Sequence, residues 1–320
     1  MAMPKTAEGD RTVFWHGLVM RLCLVCAPSA CFTYLVISYY EMSRLWTGVF
    51  VVTAAVGLEL FCSASYNAMS LCVPIFMFVQ ALLFQSEDGI SWIQAMLIAP
   101  LSIMYIGGPM SMMLHRYFSH RAYKTSRALQ FVFAVVSTLA YQGGCLWWAC
   151  MHKLHHQNCD NVHDPHSITV QGFWYAWLGW SMDPKNYNMP RFDPEVLHHT
   201  FLRPEVRCVQ FLHPVFPILW CLWAEAYFGY AAMLWNFLLP MVLCRGITCL
   251  FNIEFHPEKA AAGVKCASIN DNRFLAKIVG ESLHEDHHQH PRRSRRNDWD
   301  LVWWGTLAWM EPLGLVWGCK

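Results

Sequence analysis

Six long apolar runs constrain the fold of this chain more than any other feature. A transmembrane helix needs about 20 consecutive, mostly apolar residues. Runs that range from somewhat shorter to somewhat longer than this lie at residues 13–40, 45–62, 68–84, 90–114, 211–228 and 230–251. The composition agrees, because 55% of the residues are hydrophobic and only 14% are charged. We therefore predict an all-α polytopic membrane protein with about six spans.

A further apolar segment, residues 129–150, is expected not to cross the membrane. It lies between two groups of histidines, which a full crossing would put on opposite faces, so we predict an interfacial or re-entrant helix. Basic residues follow the fourth run and recur in the tail, at Arg116, Arg121, Lys124, Arg127, Arg292, Arg293, Arg295 and Arg296. The positive-inside tendency then predicts that both termini and all the histidine groups face the cytosol.

The charge and cysteine content exclude some classes of protein. A net charge of +1 gives no reason to expect a nucleic-acid partner. Most of the 14 cysteines lie in apolar runs, where cysteine behaves as a small hydrophobic residue, and we interpret them as free thiols; the examples are Cys23, Cys26, Cys31, Cys62, Cys72, Cys221, Cys244 and Cys249. The first twelve residues resemble neither a cleavable signal nor a transit peptide, so the first run is expected to stay in the protein.

Three histidine clusters carry the chemistry. "HKLHH" contains His152, His155 and His156, and "HEDHH" contains His284, His287 and His288, both with i, i+3, i+4 spacing. On a helix this spacing is expected to point all three rings of a triplet at one spot. His115 and His120 are five residues apart, about 140° around an ideal helix, so their convergence requires a helix end or a distortion. Asn252 and His256 lie one turn apart at the end of the last run.

These residues predict a centre with two metal ions. Imidazole suits zinc, copper, iron and nickel, and nine histidines exceed the four ligands of a closed zinc site. Carboxylates are missing from the metal-facing positions, unlike the Glu-rich di-iron bundles. We interpret the other histidines as polar side chains bonded to water or backbone: His16, His163, His166, His198, His199, His213 and His290.

Four segments carry a family resemblance: "HRYFSHRAYKTS", "WWACMHKLHHQNCDNVHDPHS", "NIEFH" and "GESLHEDHHQHP". In this order they resemble the membrane fatty acyl desaturases, specifically the Δ9 or stearoyl-type branch, from about Met104 to the C-terminus. The resemblance implies a di-iron centre that activates O2 and removes two hydrogens from an acyl chain. It assigns the nine clustered histidines as iron ligands and Asn252 as the holder of an iron-bound water.

The resemblance also implies a substrate site. The matching positions for the residues beside the bend of the acyl tunnel are Gln142, Trp148 and Thr248, and a shared bend predicts a cis Δ9 product. Positions that help bind coenzyme A in animal acyl-CoA enzymes read Gly143, Gly144, Cys150 and Met151 here. "YQGG" looks more like the acyl-lipid relatives, so the acyl carrier stays open between glycerolipid and CoA.

The remaining expectations concern partners, location and organisation. No fused cytochrome b5 domain is evident, so the resemblance implies a separate electron donor, cytochrome b5 or ferredoxin with its reductase. We expect a multi-pass protein of the endoplasmic reticulum, with plastid or bacterial inner membrane as alternatives. Residues 1–66 would form an N-terminal segment with an extra transmembrane hairpin, and residues 67–320 the desaturase domain.

Two alternatives stay open at this point. The same histidine pattern serves related di-iron hydroxylases, acetylenases and decarboxylases that act on acyl chains. A divalent-metal transporter is the alternative from another class, but it would need ionisable residues near the bilayer midplane. The apolar runs contain few acids, such as Glu59 and Glu225, which disfavours transport.

Overall fold

The fold is known from a computed structural model, which describes residues 90–188, 197–257 and 266–320 together with Ser70, Pro74, Ile75, Met77 and Phe78. The longer helices are α1 (Trp92–Ser119), α2 (Arg127–Ala140), α3 (Cys145–Asn158), α9 (Pro204–Leu212), α10 (Val215–Phe228) and α11 (Tyr230–Glu254). Shorter helices are α4 (Ile168–Gln171), α5 (Phe173–Trp177), α6 (Gly179–Met182), α7 (Pro184–Asn188), α8 (His199–Leu202), α12 (Phe274–Ile278), α13 (His284–Gln289) and α14 (Trp303–Leu307, continued by Ala308–Met310). Two short strands, β1 (Lys124–Thr125) and β2 (Val316–Trp317), pair antiparallel. The described part of the chain is therefore mostly helical with very little strand, which confirms the all-α class.

Two of the helices, α1 and α11, are long and apolar enough to cross a membrane. With 28 residues, α1 is about 40 Å long, so one end projects beyond a hydrocarbon core of about 30 Å. The pairs α2–α3 and α9–α10 bend by 74° and 66°, and counting each as one span gives up to four among the described residues. The predicted runs at 13–40 and 45–62, and most of 68–84, lie outside the described residues, so the count of six stays a prediction.

The bend between α2 and α3 falls inside the segment predicted to be interfacial or re-entrant. Tyr141 and Gly143 both have left-handed backbone conformations, with φ of 62° and 85°. Helix α3 then begins after Gly144, where the Gln210 side chain accepts hydrogen bonds from the amides of Leu146 and Trp147. A Cβ on Gly144 would lie 2.3–2.5 Å from the Gln210 side chain. The small residues of "YQGG" thus permit the break and leave room for the cap.

The C-terminal tail packs back onto α1 through a buried ion pair. Arg116 donates to both carboxylate oxygens of Asp300, at 2.8 and 3.0 Å, and both side chains are fully buried. Gly280 has φ of 72° and lies so close to this pair that an added Cβ would be 2.1 Å from Arg116 Nη2. The ion pair and the β1–β2 ladder bring His284, His287 and His288 close to His115 and His120.

The expectation of free thiols is confirmed for Cys221, Cys244 and Cys249, but two cysteines outside the apolar runs are paired. The other cysteines named as free lie outside the described residues: Cys23, Cys26, Cys31, Cys62 and Cys72. Cys159 and Cys266 form a disulfide across 107 residues, whereas the structure leaves seven other described cysteines free: Cys145, Cys150, Cys208, Cys221, Cys244, Cys249 and Cys319. Neither partner lies in an apolar run. Each belongs to a loop, and the two loops meet beside the end of α11, so the argument from apolar surroundings did not apply to them.

Candidate metal centre

The nine predicted ligand histidines converge in two adjacent clusters. The first cluster consists of His115, His120, His152, His156 and His287, and the second of His155, His256, His284 and His288. Neighbouring Nε2 atoms lie 2.8–3.1 Å apart in the first cluster and 3.1–3.2 Å apart in the second. The rings therefore face one another through the nitrogens that bind metals.

Each helical triplet is divided between the two clusters. On α3, His152 and His156 face the first cluster and His155 faces the second. On α13, His284 and His288 face the second cluster and His287 faces the first. The i, i+4 residues are about 40° apart around the helix and stay together, whereas i+3 and i+4 are about 100° apart. One turn of helix thus serves both clusters, which the expectation of a single convergence point missed.

His115 and His120 converge because the end of α1 is distorted. Residues Ile106–Ser119 form a π-helical stretch, and His120 caps its end. The amide of His120 donates to the carbonyl of His115 at 3.3 Å, an i→i+5 bond that aligns residues five apart. This is the kind of distortion that the five-residue spacing required.

Three buried carboxylates orient the histidines from behind. Nδ1 of His115 lies 3.0 Å from Glu281 Oε1, and Nδ1 of His155 lies 2.9 Å from Asp164 Oδ2. In the same way, His256 Nδ1 lies 3.4 Å from an oxygen of Asp160. When Nδ1 donates to a carboxylate, the Nε2 lone pair points into the cluster, as in established histidine–metal sites.

These three acids were not predicted from the sequence, where carboxylates were considered only as direct metal ligands. The available signal was their position. Glu281 comes three residues before His284, and Asp160 and Asp164 follow "HKLHH" closely. Burial alone would raise the pKa of Glu281, but the neighbouring His115 and Arg116 outweigh it and lower the pKa to about 2. Glu281 is therefore ionised and able to accept the Nδ1–H of His115.

The donor set fits a pair of transition-metal ions. Burial lowers the pKa of His284 and His287, and burial together with His256 lowers the pKa of His288 to about 3, so these rings are neutral. Imidazole nitrogens about 2.1 Å from one ion and at right angles to each other would lie about 3.0 Å apart. The observed spacings, 2.8–3.2 Å, match that value.

A small cavity of about 20 Å³ lies beside the first cluster. The predicted substrate residues form a hydrogen-bonded chain along it, in which Trp148 donates to Gln142 at 3.1 Å and Gln142 donates to Thr248. Asn252 and His152 line the same cavity. Its volume suits about one water molecule, so an acyl chain could occupy it only after the lining side chains move apart.

Of the histidines interpreted as peripheral, His166 lies at the site. Its ring centroid is 4.3 Å from that of His155, its amide donates to Asp164, and it lines the cavity. His163 and His290 are exposed, and His213 is buried with Nδ1 donating to a backbone carbonyl. His198 and His199 contact each other, and His16 lies outside the described residues.

The positions that match coenzyme A contacts are all inside the protein. Cys150 is 4% exposed and Met151 is 2% exposed, and Gly143 and Gly144 are also buried. In this chain those positions pack the start of α3 and present nothing to a soluble head group.

Comparison with known proteins finds relatives that act on acyl chains. No protein-family model matches the chain. It is 28% identical over 207 residues to the palmitoyl-monogalactosyldiacylglycerol delta-7 desaturase, chloroplastic, of Arabidopsis thaliana, covering 63% of this chain and 55% of that protein. It is 27% identical to the sn-1 stearoyl-lipid 9-desaturase of Synechocystis sp., covering 72% of this chain and 71% of the relative. The hex-5-enoyl-[acyl-carrier protein] acetylenase of Moorena producens is 29% identical, covering 70% and 76% respectively. The match thus spans just over half the length of the Arabidopsis protein.

Proposed function

From the relationship of this chain to the membrane fatty acyl desaturases, Δ9 enzymes included, we propose that it is an O2-dependent oxidoreductase that introduces a cis double bond at Δ9 of a long saturated acyl chain. The observation that carries the proposal is the convergence of nine inward-facing imidazoles beside the cavity lined by Gln142, Trp148 and Thr248. No other group of side chains in the described residues combines so many metal-binding nitrogens.

The two histidine clusters would each hold one iron ion, with Asn252 contributing to one of them through a water. Bound iron would supply the oxidising power that O2 needs to attack an unactivated methylene. The protein's own part is to hold the histidines. Glu281, Asp164 and Asp160 would fix which ring nitrogen carries the proton.

The acyl chain would bend at Gln142, Trp148 and Thr248. The three side chains are hydrogen-bonded to one another, so they would move together as one wall when the cavity opens for the acyl chain. That wall would hold one carbon pair next to the first cluster and exclude bulk water, and positioning of this kind is what regioselective oxidation requires. A chain bent at this point would favour a cis product.

We favour a glycerolipid as the acyl carrier. The positions that would help bind coenzyme A are buried here, and a lipid substrate reaches the site directly from the bilayer. An acyl-CoA substrate is the alternative.

The catalytic unit would comprise residues 67–320 in the endoplasmic reticulum membrane, with its histidines facing the cytosol. A separate cytochrome b5 or ferredoxin with its reductase would deliver electrons.

Acetylenase activity is the second candidate, because one relative is named as an acetylenase. The same centre would then remove two hydrogens from an existing double bond. The two candidates differ in substrate and not in the metal ligands, so product analysis separates them.

The test is the fatty-acid profile of a desaturase-deficient host that expresses this chain, resolved by lipid class and with double bonds located by mass spectrometry. The host also expresses His155→Ala and, as a matched control, His163→Ala, which is exposed and outside both clusters. We expect cis-Δ9 monoenes with the wild type and the control and none with His155→Ala. Early label in glycerolipid would support the lipid carrier. Iron-loaded wild-type protein with a matched donor and no new monoene would refute desaturation, and alkynes would support the second candidate.

A further inference from the structure

The disulfide between Cys159 and Cys266 lies directly against the second cluster. Cys159 follows the last residue of α3, and Cys266 lies in a segment that runs beside the end of α11. The sulfur of Cys159 is 3.7 Å from Nδ1 of His256, and the sulfur of Cys266 is 3.7 Å from Nδ1 of His288. Each sulfur thus faces the outer ring nitrogen of a different histidine of the second cluster.

The sulfur of Cys266 takes the place, at the outer nitrogen of His288, that a carboxylate takes at other histidines of the second cluster. The outer nitrogens of His155 and His256 face carboxylates, whereas His288 Nδ1 faces Cys266 Sγ. A metal-binding histidine is normally oriented by a partner of its outer nitrogen, and loss of such a partner weakens metal binding about 10- to 100-fold. At His288 the disulfide supplies that partner and also restricts its movement.

The two cysteine segments are also held together by bonds other than the disulfide. The amide of Ala267 donates to Asp160 Oδ2 at 2.8 Å, and the amide of Ile269 donates to the carbonyl of Phe255 at 2.9 Å. Because these bonds do not depend on the disulfide, the two sulfurs would stay adjacent after reduction. The bond could therefore reform within the chain.

We propose that Cys159 and Cys266 form a reversible thiol–disulfide site that controls how tightly the second cluster holds its metal ion. The proposal rests on the proposed function, which puts this face in the cytosol, where protein disulfides are usually transient, catalytic or redox-sensing. Its reaction partner is a dithiol. The dithiol gives two electrons and two protons, the bond between Cys159 and Cys266 breaks to two thiols, and the partner becomes a disulfide.

Reduction changes the surroundings of His256 and His288. A free thiol at Cys266 can rotate away from His288, so the ring loses its fixed acceptor, and the Cys159 sulfur is released from its position at His256. The ion in the second cluster then dissociates about tenfold faster. The two sulfurs face His256 and His288, both in the second cluster, so the first cluster keeps its ion.

The experiment uses the full chain in lipid nanodiscs, loaded with iron. Peptide mass spectrometry without reductant tests for the link between Cys159 and Cys266, and release of iron to a chelator is timed for oxidised, dithiothreitol-reduced and reoxidised protein. The double variant Cys159→Ser/Cys266→Ser removes the site, and Cys208→Ser is the matched control because Cys208 is exposed and free. Cys266→Ala alone is a second variant that leaves one thiol in place.

We expect reduction to accelerate release of half the iron about tenfold in the wild type and in Cys208→Ser, and reoxidation to reverse it. The double variant and Cys266→Ala should release iron at the reduced rate whatever the treatment. Absence of the linked peptide, or equal release rates from oxidised and reduced wild type, would overturn the proposal. Redox-dependent release in a chain that makes no alkene would refute the proposed function alone, and alkene production with redox-independent release would refute this site alone.

Discussion

Replacement of Asp300 by alanine should detach the tail from α1 and disorder both histidine clusters. Asp300 is fully buried and accepts two hydrogen bonds from Arg116. It also accepts one each from the amides of Arg296 and Trp303. Asp300 follows α13 along the chain, so Asp300→Ala removes a buried polar link between α1 and the segment that carries His284, His287 and His288.

The expected loss follows from the burial of the pair. Removal of one partner of a buried ion pair costs about 3–5 kcal/mol, because the other charge is left uncompensated. The two amides lose their acceptor as well, but these penalties overlap and should not be added. We therefore expect a loss of about 4 kcal/mol, which lowers Tm by about 10 °C.

The assay combines thermal unfolding in detergent with a count of bound iron. The matched control is Asp298→Ala, which removes the same charge two residues away. Asp298 is 93% exposed in its pair with Arg295, and such surface pairs contribute about 0–1 kcal/mol. We expect Asp300→Ala to lose iron and the control to keep it. If the two variants lowered Tm equally, or if Asp300→Ala kept its iron, the assignment of the buried pair as the link between tail and α1 would be wrong.

Three further variants test separate parts of the site. Gly144→Ala should displace the Gln210 side chain that caps α3 and lower the free energy of unfolding by about 1 kcal/mol. Gly108 has open space around it, so unfolding measurements on the control Gly108→Ala should show no such loss. Glu281→Gln keeps the shape of the side chain but weakens its hydrogen bond to His115 Nδ1. Metal titration should therefore give about tenfold lower metal affinity, and unchanged affinity would contradict the role given to this acid. Thr248→Val removes the acceptor for Gln142, so product analysis should reveal shifted double-bond positions at normal iron content; an unchanged product would argue against a bend at this residue.

Local patterns predicted the parts of the site that depend on residues close in sequence. The spacing of His152, His155 and His156 predicted rings on one side of a helix, and the apolar runs predicted α1 and α11, because periodicity and length reflect short-range geometry. The five-residue spacing of His115 and His120 even indicated a distorted helix end. What spacing could not predict was the division of each triplet between two clusters, since that depends on where the opposing helix lies.

The sequence by itself determined an all-α protein with helices apolar enough to cross a membrane and a histidine-rich candidate site, because hydrophobicity and ligand chemistry are properties of the residues. Only the tertiary structure decided which side chains support that site. Glu281 reaches His115 from 166 residues away, and Cys159 meets Cys266 across 107 residues. His166 lies against His155 because the loop after α3 folds back. Contacts of this kind depend on packing between distant segments, and no local sequence pattern encodes them.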